Sequence, residues 1–364
     1  MSRKKLLFVH HISAKAKFVT NDIKILRKKF EVEILESKLS NNLSFIFSFV
    51  SQFFRLLFSI KNYDAVYIWF ADYHSFLPVF FSKFFGKKSY IAVGGYDATY
   101  IPEINMGLFT KSGIKKRFRC FCATYSLKNC SMIIPVDKSL IENENRYIYS
   151  DLPGKPVLKD GIRNFIKDIQ TQFKTIRLGY DAEIFKSGNT VKELAVVSAG
   201  LIENDNEYRR KGFDLLTEAA KKMPDVKFIL IGLNEYYLRY IKGLELKNTE
   251  LYGKVSYDEL KKLYGRAKVY SQLSMFEGMP SAVCEAMLCG CIPVGSEVNG
   301  IPDIIGDCGI IVKERNAEKA AEAIRAALEF DETASVNSRK RIVEMFPLKK
   351  REKELFEITG NDIQ

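Results

Sequence analysis

Between residues 194 and 328, short apolar runs alternate with helical patterns so regularly that few folds can accept the chain. Residues 194–198 precede the amphipathic Phe213–Lys222, residues 226–231 precede Glu235–Lys242, and residues 250–252 precede Tyr257–Arg266. The rhythm continues through residues 269–273, a helix from about Ser281 to Leu288, strands at 292–294 and 309–312, and the helix Ala317–Leu328. Strands separated by helices pair in parallel, and the helices must cover both sheet faces, so this half is a doubly wound α/β domain.

The first half repeats the pattern more weakly. Strands are expected at residues 6–9, 32–35, 65–68, 89–93 and Met132–Pro135, with helices such as 19–29 and 76–85. A length of 364 residues at 47% hydrophobic content supplies two cores of common size. A polar, poorly periodic stretch at 151–174 puts the boundary near residues 178–185. The expectation is an N-terminal domain over 1–178, a C-terminal domain over 179–345, and a terminal helix in 346–364.

Charge is unevenly spread. The chain carries 56 Lys and Arg against 44 Asp and Glu, a net +12, and residues 1–190 alone carry about +14. The partner of that half should be anionic. No helix-turn-helix, zinc finger or RNA-recognition signature accompanies the charge, which ranks a nucleic-acid reading last and favours a membrane surface. The most apolar stretch, LSFIFSFVSQFFRLLFSI at 43–60, is interrupted by Gln52 and Arg55 and is not read as a membrane span. It reads as a helix packed on a sheet, with a Phe-rich face resting on lipid as the alternative, towards which Lys83, Lys87 and Lys88 point.

The seven cysteines form no paired C-x-x-C sets and read as reduced, mostly buried thiols, with no zinc site. Ser2 to Lys5 run directly into a short apolar stretch with no cleavage pattern, so a cytoplasmic location is expected. His10, His11 and His74 are the only histidines, and none is given a catalytic role.

The stretch FEGMPSAVCEAMLCG at 276–290 carries the chemistry. Glu277 follows an apolar strand in a loop, and Pro280 and Ser281 open a helix, with Pro expected at the first helical position. There its missing N–H costs little, and the free N–H groups after it attract a diphosphate. Glu285 lies one turn on from Ser281, on the same face, where a carboxylate can accept from a ribose diol. Two glutamates at this spacing arise often by chance; the surrounding residues are what make the pair informative.

That string, with Glu-Gly before a Pro, Glu-Ala-Met in the helix and Gly290 ahead of CIPVGS, resembles glycosyltransferase family four (group 1 type), retaining enzymes of the GT-B fold. LGYDAEIF (178–185), RRKGFDLL (209–216) and NGIPDII (299–305) are similar to further family motifs and stand in the same order. The resemblance is strong over about 176–330 and weak over 64–97. It implies two Rossmann-like domains facing each other across a cleft. It also implies that Lys211 contacts a donor diphosphate, that Glu277 and the backbone of Gly278, Met279, Pro280 and Ser281 hold the sugar, that Glu285 binds the ribose, and that Gly200 lets phosphates approach.

Three positions depart from the family. Leu201 stands where an arginine is common, leaving Arg209 or Arg210 to substitute. Gly94-Gly95-Tyr96-Asp97 replaces a loop that often begins with histidine, leaving Asp97 to meet an acceptor hydroxyl. The loop from His10 to Lys15 lacks paired glycines, leaving Lys15 or Lys17 to compensate. The reading is a retaining, metal-independent hexosyltransferase that uses a UDP- or GDP-linked sugar and no cofactor. Its acceptor is a saccharide or lipid-linked saccharide, as in cell-surface glycan or polysaccharide biosynthesis, and it works in the cytoplasm, peripheral to an anionic membrane. The alternative is a catalytically weak partner protein that binds a nucleotide sugar or another transferase.

Overall fold

A computed structural model describes residues 3–11, 16–37, 42–110, 113–152, 154–185 and 191–361. The chain divides into two compact units: Met1–Asn143 with Asp160–Gly179 and Leu348–Gln364, and Glu144–Lys159 with Tyr180–Pro347.

In the first unit, strand β1 (Lys5–His11), helix α1 (Lys17–Arg27), β2 (Glu31–Ser37), α2 (Asn42–Ser59), β3 (Ala65–Trp69), α3 (Tyr73–Phe84), β4 (Lys88–Val93) and α4 (Ile114–Asn129) alternate. The described residues form a six-stranded parallel sheet in the order Gln172–Phe173, Met132–Pro135, β4, β3, β1, β2. Its centre is buried, since β3 and residues Ser89–Val93 of β4 are covered along their length, as strands packed on both faces must be.

Helix α3 starts three residues before the expected Phe76 because Asp72 forms a capping box with Ser75, and the helix then runs through Pro78. The terminal helix Leu348–Asn361 belongs to this unit. Arg351 anchors it through a buried ion pair with Asp22 at 2.6 Å and hydrogen bonds to the carbonyls of Ile176 and Arg177. Asp22 also accepts from Tyr67 Oη and Trp69 Nε1.

The second unit has its own six-stranded parallel sheet in the order Thr249–Tyr252, Lys227–Leu233, Glu193–Ile202, Ala267–Gln272, Ile292–Ser296, Ile310–Val312. The reversal of strand order beside Glu193–Ile202 is where doubly wound sheets open a crevice at their carboxyl ends. Residues 144–159, part of which reads in sequence as featureless, fold with this unit. Asn145 Nδ2 donates to Met275 O at 2.8 Å, and Ser150 Oγ accepts from Arg315 N.

All seven cysteines are free thiols; Cys122, Cys130, Cys284, Cys289 and Cys291 are buried, while Cys120 and Cys308 are partly exposed. Among the described residues no helix is long and apolar enough to cross a membrane. Helix α2 packs on α3 through Phe49 against Phe76 and Phe53 against Phe81, while Phe47 and Phe58 remain exposed.

Candidate donor site

The site is built on the carboxyl end of the strand Ala267–Gln272. Tyr270, Gln272 and Ser274 alternate along the chain and so share one face. Tyr270 Oη donates to Gln272 Oε1 at 2.6 Å, Gln272 Nε2 donates to Ser274 Oγ at 2.6 Å, and Ser274 Oγ donates to Glu277 Oε1 at 3.0 Å. Every donor in this buried row points towards the Glu277 carboxylate, so each bond polarises the next.

Lys211 Nζ also donates to Glu277 Oε1, and Arg210 Nη1 lies 3.6 Å from the same oxygen. Burial alone would push Glu277 up, but the Lys211 ammonium, then the Arg210 guanidinium and the hydrogen bonds, outweigh it and hold the carboxyl below its ordinary range. Burial pulls the Lys211 ammonium down, more than Glu277 raises it. None of these contacts uses Glu277 Oε2.

Two cations arrive together because of a backbone break. The helix Asp205–Arg210 ends at Lys211, Gly212 takes φ 75°, and Phe213–Lys222 begins a new helix. A Cβ at Gly212 would stand 2.3 Å from Leu273 O, so only glycine lets this turn lie against the strand end. Met275 N donates to Arg210 O at 2.8 Å, tying the turn to the Glu277 loop. Arg315 steadies it from behind through Asp214 and a 3.4 Å bond to Arg209 O. Of the two arginines considered as substitutes for the missing one, Arg210 reaches Glu277, whereas the Arg209 side chain is exposed; Leu201 is 56% exposed at the end of its strand.

Asn299, at φ 44°, accepts from Glu277 N at 3.2 Å, and Gly300 N donates to Gly278 O at 3.1 Å, which fixes the loop Glu277–Pro280. Pro280 is the N-cap of the helix Ser281–Leu288, one place earlier than expected, with no capping side chain and no acidic residue in the first turn. Ser281 is thus the first helical residue, and its hydroxyl accepts from Tyr180 at 3.3 Å. Glu285 is buried one turn in and accepts from the Tyr257 hydroxyl. A Cβ at Gly200 would meet Lys211 Cγ at 3.4 Å, an ordinary contact; the tighter glycine is Gly232, whose Cβ would lie 2.1 Å from Gly200 O.

Asp97 takes a different place from the one expected. It is buried, and its carboxylate accepts from the backbone N–H groups of Ala71, Gly94 and Gly95 at 2.9–3.1 Å. A carboxylate so occupied holds its own loop together; burial raises it to about 6. A Cβ at Gly94 would lie 2.4 Å from the ring of Phe70, so that ring fills the room a larger residue would need. His10 and His74 are buried against backbone carbonyls of the same unit, Lys17 opens α1, and Lys15 lies outside the described residues.

Residues 183–344 match the family described as glycosyl transferases group 1. Over that stretch the chain is similar to the group 1 glycosyl transferases. It is 25% identical over 127 residues to a subunit of phosphatidylinositol N-acetylglucosaminyltransferase from Arabidopsis thaliana, covering 33% of this chain and 28% of the relative. It is 28% identical over 100 residues to O-antigen chain mannosyltransferase B of Escherichia coli, covering 28% of this chain and 23% of the relative. The chain thus spans about a quarter of the length of these relatives.

Over 99% of both chains the fold is similar to sucrose-phosphate synthase from Thermosynechococcus elongatus, at a TM-score of 0.72 and 15% identity. It is similar also to HepE of Anabaena, solved with UDP and glucose, at 0.70 and 13%, over 99% of this chain and all of that one. The fold shared with these structures is that of two Rossmann-like units of the GT-B class.

The residues that pattern reading missed are Tyr257, Gln272, Ser274, Asn299, Asn145 and Tyr180. One signal was available: the run Tyr270, Ser271, Gln272 and Ser274, at and just beyond the end of the strand Ala267–Gln272, is polar where a central strand is expected to be apolar.

Proposed function

We propose that the chain is a retaining, metal-independent glycosyltransferase that moves a hexose from a UDP- or GDP-linked donor to a hydroxyl of a saccharide or lipid-linked saccharide, in the cytoplasm at the inner membrane face. The observation that carries this reading is the convergence of Lys211 and Arg210 on Glu277 beside an uncapped helix N-terminus. A departing nucleoside diphosphate needs fixed positive charge where its own charge develops. An ammonium, a guanidinium and free N–H groups, held by their own supports, supply it without reorganisation. Glu277 Oε2 suits a sugar hydroxyl, and Glu285 suits the ribose diol with Tyr257 orienting it.

HepE was solved with UDP, so UDP-sugars are the first donors to test. The test is transfer from labelled UDP- and GDP-sugars to simple and lipid-linked saccharides, with the anomeric configuration of the product determined and chelator added in parallel. A product of retained configuration, formed equally well in chelator, is expected. Inversion would overturn retention, dependence on manganese would overturn metal independence, and tight donor binding without transfer to any acceptor would favour the partner-protein reading.

A further inference from the structure

Helices α2, α3 and α4 run for 18, 12 and 16 residues without one aspartate or glutamate, in a chain that has 44 of them. The same helices carry Lys83, Lys115, Lys116, Arg117 and Lys128, as well as Arg55, paired with Glu33, and Arg119, paired with Asp72. Aromatic contacts join the three into one surface: Phe49 with Phe76 at 6.3 Å, Phe76 with Phe121 at 5.9 Å, and Phe49 with Phe118 at 6.1 Å. Above that layer, Phe47, Phe54, Phe58, Phe84, Ile114 and Phe121 are each more than half exposed. Single exposed apolar residues are ordinary; a contiguous set on three packed helices marks an interaction surface.

Two features are unfavourable for a face left in water. Large aromatic rings stay hydrated on it, and Lys115, Lys116 and Arg117 occupy the first turn of α4 with no acidic residue there, against the helix dipole. An apolar, anionic environment relieves both at once. We propose that this face docks on an anionic lipid bilayer, its phenylalanines entering the headgroup–acyl boundary and its lysines and arginines meeting lipid phosphates. A second copy of the chain would bring the same cations against each other, which argues against self-association. This extends the peripheral location proposed above and names the surface responsible.

The test uses the full chain with vesicles of phosphatidylglycerol and phosphatidylcholine, and with phosphatidylcholine alone. Sedimentation with the anionic vesicles at low salt is expected, weakened by added salt and weak with the neutral ones. Phe47→Ser with Phe58→Ser, and separately Lys115→Gln with Lys116→Gln and Arg117→Gln, should each lower partitioning by roughly tenfold or more. An unchanged thermal midpoint and unchanged Trp69 fluorescence would show that these exposed substitutions leave the fold intact. Wild-type protein that ignores anionic vesicles, or Phe variants that bind them like wild type, would overturn the proposal. So would a lipid-free dimer, seen in sedimentation equilibrium, that the same substitutions dissolve. Titration of a UDP-sugar into the same samples separates the two readings: lost donor binding with normal docking sinks the transferase reading, and the reverse sinks the docking.

Discussion

The Tyr257 hydroxyl donates to Oε1 of Glu285, joining the start of one helix to the second turn of another across a site that sequence spacing credits to Glu285 alone. The bond is local to one carboxylate oxygen and orients the other. Tyr257→Phe keeps the ring packed against Phe185 and removes only the donor. Donor affinity should fall by about 3- to 10-fold, the net worth of one hydrogen bond, with kcat nearly unchanged, as calorimetry and steady-state kinetics would show.

Glu277 should behave in the opposite way. Glu277→Gln removes the anion between Lys211 and Arg210, so UDP alone should bind as well or better, while transfer falls by about 10²–10³. Because the folded-state pKa of Glu277 is depressed, its contribution to stability is complete above the ordinary carboxylate pKa of about 4.3 and is lost as pH falls through the lower folded value. Ser274→Ala deletes one donor to the anion and should move the acid limb of the activity profile to higher pH.

Asp97 carries the reverse sign. Burial raises it from 3.8 to about 6, so the folded state holds its proton more tightly than the unfolded one. The stability linked to that proton is fully present below pH 3.8 and is lost as pH rises to about 6. Asp97→Asn should flatten that segment of the stability–pH curve, measured by urea unfolding at closely spaced pH values.

Arg351 and Asp22 form a fully buried pair inside the first unit, with the guanidinium 5.6 Å from the centre of the only tryptophan, Trp69. Arg351→Met strands the Asp22 charge and should cost about 3–5 kcal/mol. Asp22→Asn in the same chain should restore part of it. Trp69 emission will report both changes, since its indole donates to Asp22 at 2.8 Å.

The alternation after residue 194 foretells the second sheet because its central strands are buried apolar runs and helices such as Phe213–Lys222 and Ala317–Leu328 show an apolar stripe. Lys211, Glu277 and Glu285 could be singled out as candidates because each sits inside a short contiguous string. Tyr257 and Asn145 were not, since they come from segments remote in sequence and nothing local marks them; Asn299 opens the quoted string NGIPDII, but its bond to the Glu277 backbone is a tertiary contact. The bonds of Asp97 were hidden for the opposite reason. A carboxylate in a glycine loop resembles a ligand-facing group in sequence, yet the three backbone N–H groups it holds become visible only when the loop folds back on Ala71. The exposure of Phe47 and Phe58 was also hidden, because an apolar helix reads alike whether one of its faces is covered or bare.

The central claim is that the Lys211, Glu277 and Glu285 constellation is a nucleotide-sugar site. Calorimetric titration of UDP-, GDP- and ADP-sugars into wild type and Glu285→Ala tests it before any acceptor is known. Binding of one nucleotide class, weakened roughly tenfold or more in the variant, is the predicted result. Binding of none of them, or equal binding by both proteins, would contradict it.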